Sequence, residues 1–376
     1  MLYYLSELAD RWGVLNLFRY ITFRALGAAA TAFVLSVVLG APMIRVLARL
    51  VQPSRLGLVP TLDEVHRRKQ VPTMGGLLII GATLAATLLW AVTSNALVWI
   101  AVAVMMAMGA VGFADDYLKV TARNAKGLPG RWKLIVQAAC AVGLVLALWP
   151  VEAWRPMAGE LAIPFLKEPV LVDLGLGPSI LFALLVLVGC TNAVNLTDGM
   201  DGLAVGCTGS AAMSYLVMAY CTGHAVFARY LRIPFVPGAG ELAVFCGALL
   251  GACLGFLWWN CLPARLFMGD TGSLALGGAV AAVAMLINQE LTLIIVGGVY
   301  VVEALSVILQ VGWFKWTGGR RLFRCAPIHH HFEWIAIERL KAEGRNPELA
   351  ESRVVTRFWI VSIVLALAGI ASLKIR

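Results

Sequence analysis

Five aspartates stand at the edges of long apolar runs: Asp115 and Asp116, Asp198 and Asp201, and Asp270. An ionised Asp at the centre of a membrane helix costs about 2.5–3.5 kcal/mol, so such groups must face protein, water or an ion. Carboxylates that converge are hard oxygen ligands suited to Mg²⁺, which keeps its waters and bridges to phosphate oxygens. Lys69, Lys119 and Lys133 lie in neighbouring segments, where their ammonium groups can hold the remaining phosphate charge. Carboxylates, a divalent cation and lysines together suggest phosphoryl transfer, with one substrate drawn from water and the other from lipid.

The densest of these segments runs from Asn192 to Leu203, between two apolar runs. On a helix, Asn192, Asn195 and Asp198 would share one broad face. Gly199 and Gly202 weaken the helix at that point and free backbone groups to approach a ligand. Each signal also has a plainer reading. Asp115 and Asp116 alone would be a solvated helix end, and Asp198 and Asp201 would be caps or a proton relay. Phe267 would be an interfacial aromatic, and Arg67, Arg68 and Lys69 part of an orientation signal. The run His329, His330, His331 cannot turn three adjacent side chains to one ion in regular structure, so no structural metal is expected there. What favours a shared site is that all five acids fall on the same side of the membrane.

That side follows from the elements that carry them. Of 376 residues, 60% are hydrophobic and 14% charged, with a mean hydropathy of +0.84. Runs of about 20 apolar residues are long enough to cross a bilayer as helices. The sequence therefore predicts an all-α integral membrane protein, a single polytopic domain over 1–376 with a cytoplasmic-face active-site cleft. Spans are expected at 25–48, 73–93, 96–114, 134–150, 178–197, 202–222, 241–259, 272–289, 292–314 and 355–373. Residues 1–21 mix apolar and charged groups and read as an amphipathic surface segment. The first span is too long for a signal-peptide core and is expected to be retained. Residues 315–354 form a large cytoplasmic loop.

Ten spans place both termini on one side, and charge decides which. One set of alternate loops holds Arg45, Arg49, Arg55, Arg67, Arg68, Lys69, Lys119, Arg123, Lys126, Arg131, Lys133, Arg265 and the basic residues from Lys315 to Arg357. The other set, with the termini, holds only Arg11, Arg19, Arg24, Arg155, Lys167, Arg229, Arg232, Lys374 and Arg376. The richer set marks the cytoplasm, and both termini lie outside. This asymmetry also accounts for the net charge of +9 without nucleic acid. The eight cysteines form no Cys-x-x-Cys pair and lie mostly in apolar spans, so neither disulfides nor a zinc site are expected.

Five stretches closely resemble the phospho-N-acetylmuramoyl-pentapeptide-transferase family, within the polyprenyl-phosphate N-acetylhexosamine-1-phosphate transferases. They are Pro72 to Gly76, Phe113 to Tyr117, Asn192 to Leu203, Phe267 to Ser273 and Ala326 to Glu333. The resemblance covers nearly the whole chain in order. It implies transfer of phospho-N-acetylmuramoyl-pentapeptide from UDP-N-acetylmuramoyl-pentapeptide to undecaprenyl phosphate, giving lipid I and UMP, with Mg²⁺ required. It also implies ten helices in the bacterial inner membrane, periplasmic termini and a homodimer.

By motif, Asp270 resembles the principal Mg²⁺ ligand, with Asp115 and Asp116 beside the reacting phosphates. Asn195, Asp198, Asp201, Asn260, Phe267 and Gln310 resemble the nucleoside and cation-side contacts, with Phe267 stacked on uracil. Thr73, Lys69 and the run His329, His330, His331 would complete the cleft. The stretch from His66 to Thr73 is one residue shorter than the family pattern, which leaves Lys69 and Arg68 both open for its lysine position. Two rival functions remain at this level: transfer of N-acetylglucosamine-1-phosphate to a polyprenyl phosphate, and cation-coupled transport. Transporter acids should sit near mid-depth, whereas these collect at one surface.

Overall fold

A computed structural model of the chain describes residues 1–50, 71–121, 127–166, 171 and 173–375. The principal helices are α1 (Ile21–Leu50), α2 (Gly76–Trp90), α3 (Ala96–Thr121), α4 (Gly130–Leu148), α5 (Leu176–Thr197) and α6 (Leu203–Thr222). They continue with α7 (Gly240–Asn260), α8 (Gly269–Leu286), α9 (Gly298–Trp316), α10 (Ile328–Ala342) and α11 (Leu349–Ser372). The only pairing of extended backbone among the described residues is an isolated bridge between Leu161 and Leu171. The chain is an all-α, multi-pass membrane protein: nine of the described helices are long and apolar enough to cross a bilayer. The tenth expected span is α2, whose 15 residues reach only about 22 Å at 1.5 Å per residue.

Three expectations are adjusted by the local chemistry. The third span does not end at Asp115 but continues to Thr121, which places both acids inside a helix. The expected span 292–314 is broken at Gly297 into a short helix, Thr292–Val296, and α9. The expected loop 315–354 contains α10, which starts after Pro327, and the first turns of α11. Proline just before a helix fits because its missing N–H would have no intrahelical partner there. The N-terminal segment folds as two 3-10 helices, Leu2–Leu8 and Gly13–Arg19. Its terminal ammonium donates to the carbonyls of Leu88 and Leu89, both at 3.1 Å, tying the segment to the end of α2.

Helix α8 is the post of the bundle, with every residue from Thr271 to Leu286 buried. It packs against α2, α3, α5 and α6, while α1 lies along α7. Lipid supplies little hydrophobic drive between helices, so close packing must come from small residues at the contact. On α7, a Cβ at Gly251 would sit 2.0 Å from the carbonyl oxygen of Ala29, and one at Gly255 would sit 2.6 Å from that of Phe33. Any side chain there would push α1 away.

One buried ion pair stitches the bundle at the end where α1 and α7 begin. Arg24 donates to both Glu241 oxygens, at 2.6 and 2.5 Å, and to the Trp90 carbonyl at 3.2 Å. The Val92 amide completes the carboxylate's shell at 2.9 Å. Removing one partner of such a pair leaves an uncompensated buried charge and costs about 3–5 kcal/mol, whereas an apolar replacement of both is often neutral. Glu241→Ala should therefore lower the unfolding temperature of the detergent-solubilised protein much more than the double change Arg24→Met with Glu241→Leu. Equal losses would show that the charges are not what the site must balance.

Candidate functional site

The helix ends opposite Arg24 and Glu241 carry the acids. Asp115 and Asp116 are consecutive on α3, and an α-helix turns neighbouring side chains about 100° apart, so the two take different partners. Asp115 is buried and accepts the Leu128 amide at 2.7 Å. It also pairs with Lys119 at 2.5 Å and Lys133 at 3.1 Å. Asp116 is buried too and turns to the start of α8, where it accepts the amides of Asp270 at 3.2 Å and Thr271 at 2.9 Å. The Thr271 hydroxyl donates to the same carboxylate at 2.6 Å. A helix N-terminus has amides without intrahelical partners and a positive dipole end, so it holds the Asp116 charge where lipid could not.

Asp270, in the first turn of α8, completes the cluster. Lys133 lies 2.7 Å from its carboxylate and Lys119 3.3 Å. Oxygens from Asp115, Asp116 and Asp270 all fall within 4.8 Å of one another, the one such group among the described residues. Close helix contact makes this possible. A Cβ at Gly112 would meet the Asp270 carbonyl at 2.1 Å, and one at Gly76 would meet the Gly272 nitrogen at 2.1 Å. Three carboxylates facing two ammonium groups form an all-oxygen donor set with lone pairs to spare, and this fits a hard divalent cation such as Mg²⁺.

Thr73 and Phe267 reach the cluster through paired backbone. The Phe267 amide donates to the Pro72 carbonyl at 2.8 Å, and the Gly75 amide donates back to the Phe267 carbonyl at 2.8 Å. Gly269, at φ +71°, lies so close that a Cβ there would be 2.5 Å from Asp116 and 2.7 Å from the Thr73 hydroxyl. Asn195 joins from α5, accepting the Ser273 hydroxyl at 3.3 Å.

The turn after α5 behaves differently from the sequence expectation. Helix α5 ends at Thr197, so Asp198 is its C-terminal cap and not part of a continuous face with Asn192. Asn192 is exposed and donates to the Val188 carbonyl. Gly202 sits at φ +78° and opens α6. Asp201 accepts the Ala264 amide at 2.8 Å, while Asn260 accepts the Gly202 amide at 3.0 Å and donates to the Leu266 carbonyl at 2.9 Å. These two side chains pin the segment bearing Phe267 to the turn from behind.

The remaining residues divide. Gln310 accepts the amides of Leu322 and Phe323 at 3.1 and 2.8 Å, so it orders the segment after α9. The three histidines take three directions: His329 to Glu303, His330 to Glu333, and His331 to the Arg324 amide. Lys69, with Arg67 and Arg68, lies outside the described residues. Thr271, Glu303 and Glu351 hold Asp116, His329 and the Asp201 amide in place. Only Glu303 carries a readable signal, an acid in the middle of an apolar run.

Electrostatics distinguish Asp198. Its low-polarity surroundings, with Asp270, Asp116 and Asp201 adding repulsion, push its carboxyl up to about 8. Burial holds the His329 imidazole below its usual range, against the pull of Glu303.

The chain is similar in sequence to known proteins over its full length. Residues 98–288 match the glycosyl transferase family 4 model. A phospho-N-acetylmuramoyl-pentapeptide-transferase from Granulibacter bethesdensis is 51% identical over 380 residues, covering 100% of both chains. Proteins of that name from Methylacidiphilum infernorum and Thermodesulfovibrio yellowstonii are 49% and 48% identical, covering 99% or more of each chain.

The raised Asp198 carboxyl has a testable sign. A carboxyl that keeps its proton in the folded state gives stability that is present at low pH and lost as pH rises through about 8. Between pH 6 and 9 the unfolding temperature of the wild type should fall more steeply than that of Asp198→Asn. Parallel curves would show that Asp198 ionises freely in the fold.

Proposed function

The chain belongs to the phospho-N-acetylmuramoyl-pentapeptide-transferase family, within glycosyl transferase family 4, and on that premise we propose that it transfers phospho-N-acetylmuramoyl-pentapeptide from UDP-N-acetylmuramoyl-pentapeptide to undecaprenyl phosphate, releasing UMP and forming lipid I. The carrying observation is the convergence of Asp115, Asp116 and Asp270 around Lys119 and Lys133 at one end of an apolar bundle.

The chemistry follows from charge. A phosphomonoester has a second pKa of about 6, so the acceptor is largely dianionic at neutral pH and attacks without a strong base. Its oxygen forms a bond to the β-phosphorus of the UDP-sugar. The bond from that phosphorus to the bridging oxygen breaks, and UMP leaves with the electron pair. Lys119 and Lys133 hold and orient the phosphates. Asp270, Asp115 and Asp116 would hold Mg²⁺, which when bound neutralises charge on the pyrophosphate. Asn195, Asp198 and Phe267 receive the nucleoside end, with Phe267 stacked on uracil, and Thr73 lines the approach to Asp116. The sorting of basic residues supports a site open to the cytoplasm of a bacterial inner membrane, with both termini outside and the chain acting as one polytopic unit. The family relation supports a homodimer.

Purified protein in detergent should release UMP only with both substrates and Mg²⁺. Asp115→Asn, Asp116→Asn and Asp270→Asn should each lower the rate about a hundredfold or more. Turnover with UDP-N-acetylglucosamine alone would overturn the substrate, and UMP release before lipid is added would replace direct attack by a covalent intermediate. A transporter would release no UMP in detergent.

A further inference from the structure

Glu303 and His329 form a pair that the reaction described above does not use. The Nδ1 of His329 lies 3.0 Å from Glu303 Oε2, and neither side chain is exposed at all. They come from different elements, Glu303 from α9 and His329 from the first turn of α10. Both far ends are orphaned: Glu303 Oε1 and His329 Nε2 are buried with no hydrogen-bond partner among the described residues. As structural cement this is poor, because an apolar pair of the same volume would hold two helices without the desolvation cost.

The orphan nitrogen is aimed at the site. A Cβ on Gly199 would lie 2.3 Å from His329 Nε2 and 2.8 Å from its Cε1. Gly199 follows Asp198, so the imidazole edge supports the turn that presents that carboxyl to the cluster. His330 packs beside it at an interplanar angle of 56°, with ring centroids 4.2 Å apart. With the Glu303 oxygen as acceptor, the tautomer that fits this contact carries its proton on Nδ1 and its lone pair on Nε2.

We infer that Glu303 is a positioning residue: it fixes the tautomer and ring plane of His329, whose Nε2 edge then sets the turn carrying Asp198 at the nucleotide end of the site. The inference rests on the donor-site reading given above. Gly199 is part of the same device, since no other residue leaves room for the ring.

The test uses the full-length protein in detergent with UDP as the nucleotide probe. Glu303→Leu should weaken UDP binding and raise the KM for the UDP-sugar about tenfold or more, leaving the KM for the polyprenyl phosphate unchanged. Glu303→Gln keeps an acceptor oxygen for Nδ1–H and should recover most of that loss, while Gly199→Ala should reproduce it. In ¹⁵N-histidine spectra, assigned with His329→Asn, the wild type should show protonated Nδ1 and unprotonated Nε2, and Glu303→Leu should show mixed tautomers.

The inference is overturned if Glu303→Leu binds UDP like the wild type, or if its losses weigh equally on both substrates and track a fall in Tm. It also fails if the wild-type ring is protonated on Nε2. Wild-type protein that neither binds UDP nor releases UMP would instead sink the donor-site reading, while the spectra would still decide whether Glu303 sets the tautomer.

Discussion

Carboxylates can sit at the end of an apolar bundle only if something there compensates them. Taking an isolated ion out of water costs several kcal/mol even after relaxation, so neither Asp115 nor Asp116 could be buried alone. The molecule meets this constraint in two ways. Asp115 is matched by Lys119, Lys133 and the Leu128 amide. Asp116 is matched by the amide end of α8 and the Thr271 hydroxyl. Asp270 links the two solutions, because its own amide serves Asp116 while its side chain shares both lysines.

The rest of the fold keeps those partners in register. Helix α8 must come close enough to α3 for its first turn to meet Asp116, and Gly112 removes the atoms that would prevent it, as Gly76 does for the approach of α2 to α8. The far end is fastened separately by Arg24 and Glu241, which tie the starts of α1 and α7 to the end of α2. Sites built on helices are held more tightly than sites on loops. Here the carboxylates and lysines stand on helices, while the residues read as nucleoside contacts lie largely on the turn after α5 and the segment around Phe267. Asp201 and Asn260 give those loops their shape by tying one to the other.

The division suits a reaction between two polyanions. The rigid half concentrates charge of both signs where phosphorus chemistry needs fixed partners, and electrostatic preorganisation of this kind supplies much of an enzyme's rate. On the proposed reaction, the turn after α5 and the segment around Phe267 would meet the part of the donor that does not react, where binding energy serves orientation. Glu303 and His329 stand behind that turn, with the imidazole edge against Gly199.

Much of this was legible in the residues alone. Length and hydropathy of the apolar runs determined a multi-pass helical membrane protein, because lipid leaves backbone groups no partner outside a helix or closed barrel. The acids at span edges marked where a site is to be expected, since a chain tolerates charges so costly chiefly where they bind or react. Spacing could not decide direction or partnership. His330 and His331 find partners within seven positions of themselves, but that Asp116 turns away from Asp115 is decided by Thr271, 155 positions on, and that His329 leaves its neighbours is decided by Glu303 on another helix. The fastening of Arg24 to Glu241 is of the same kind, 217 positions apart. Local pattern reports what each segment must bury, while the choice of what it is buried against belongs to the packed tertiary structure.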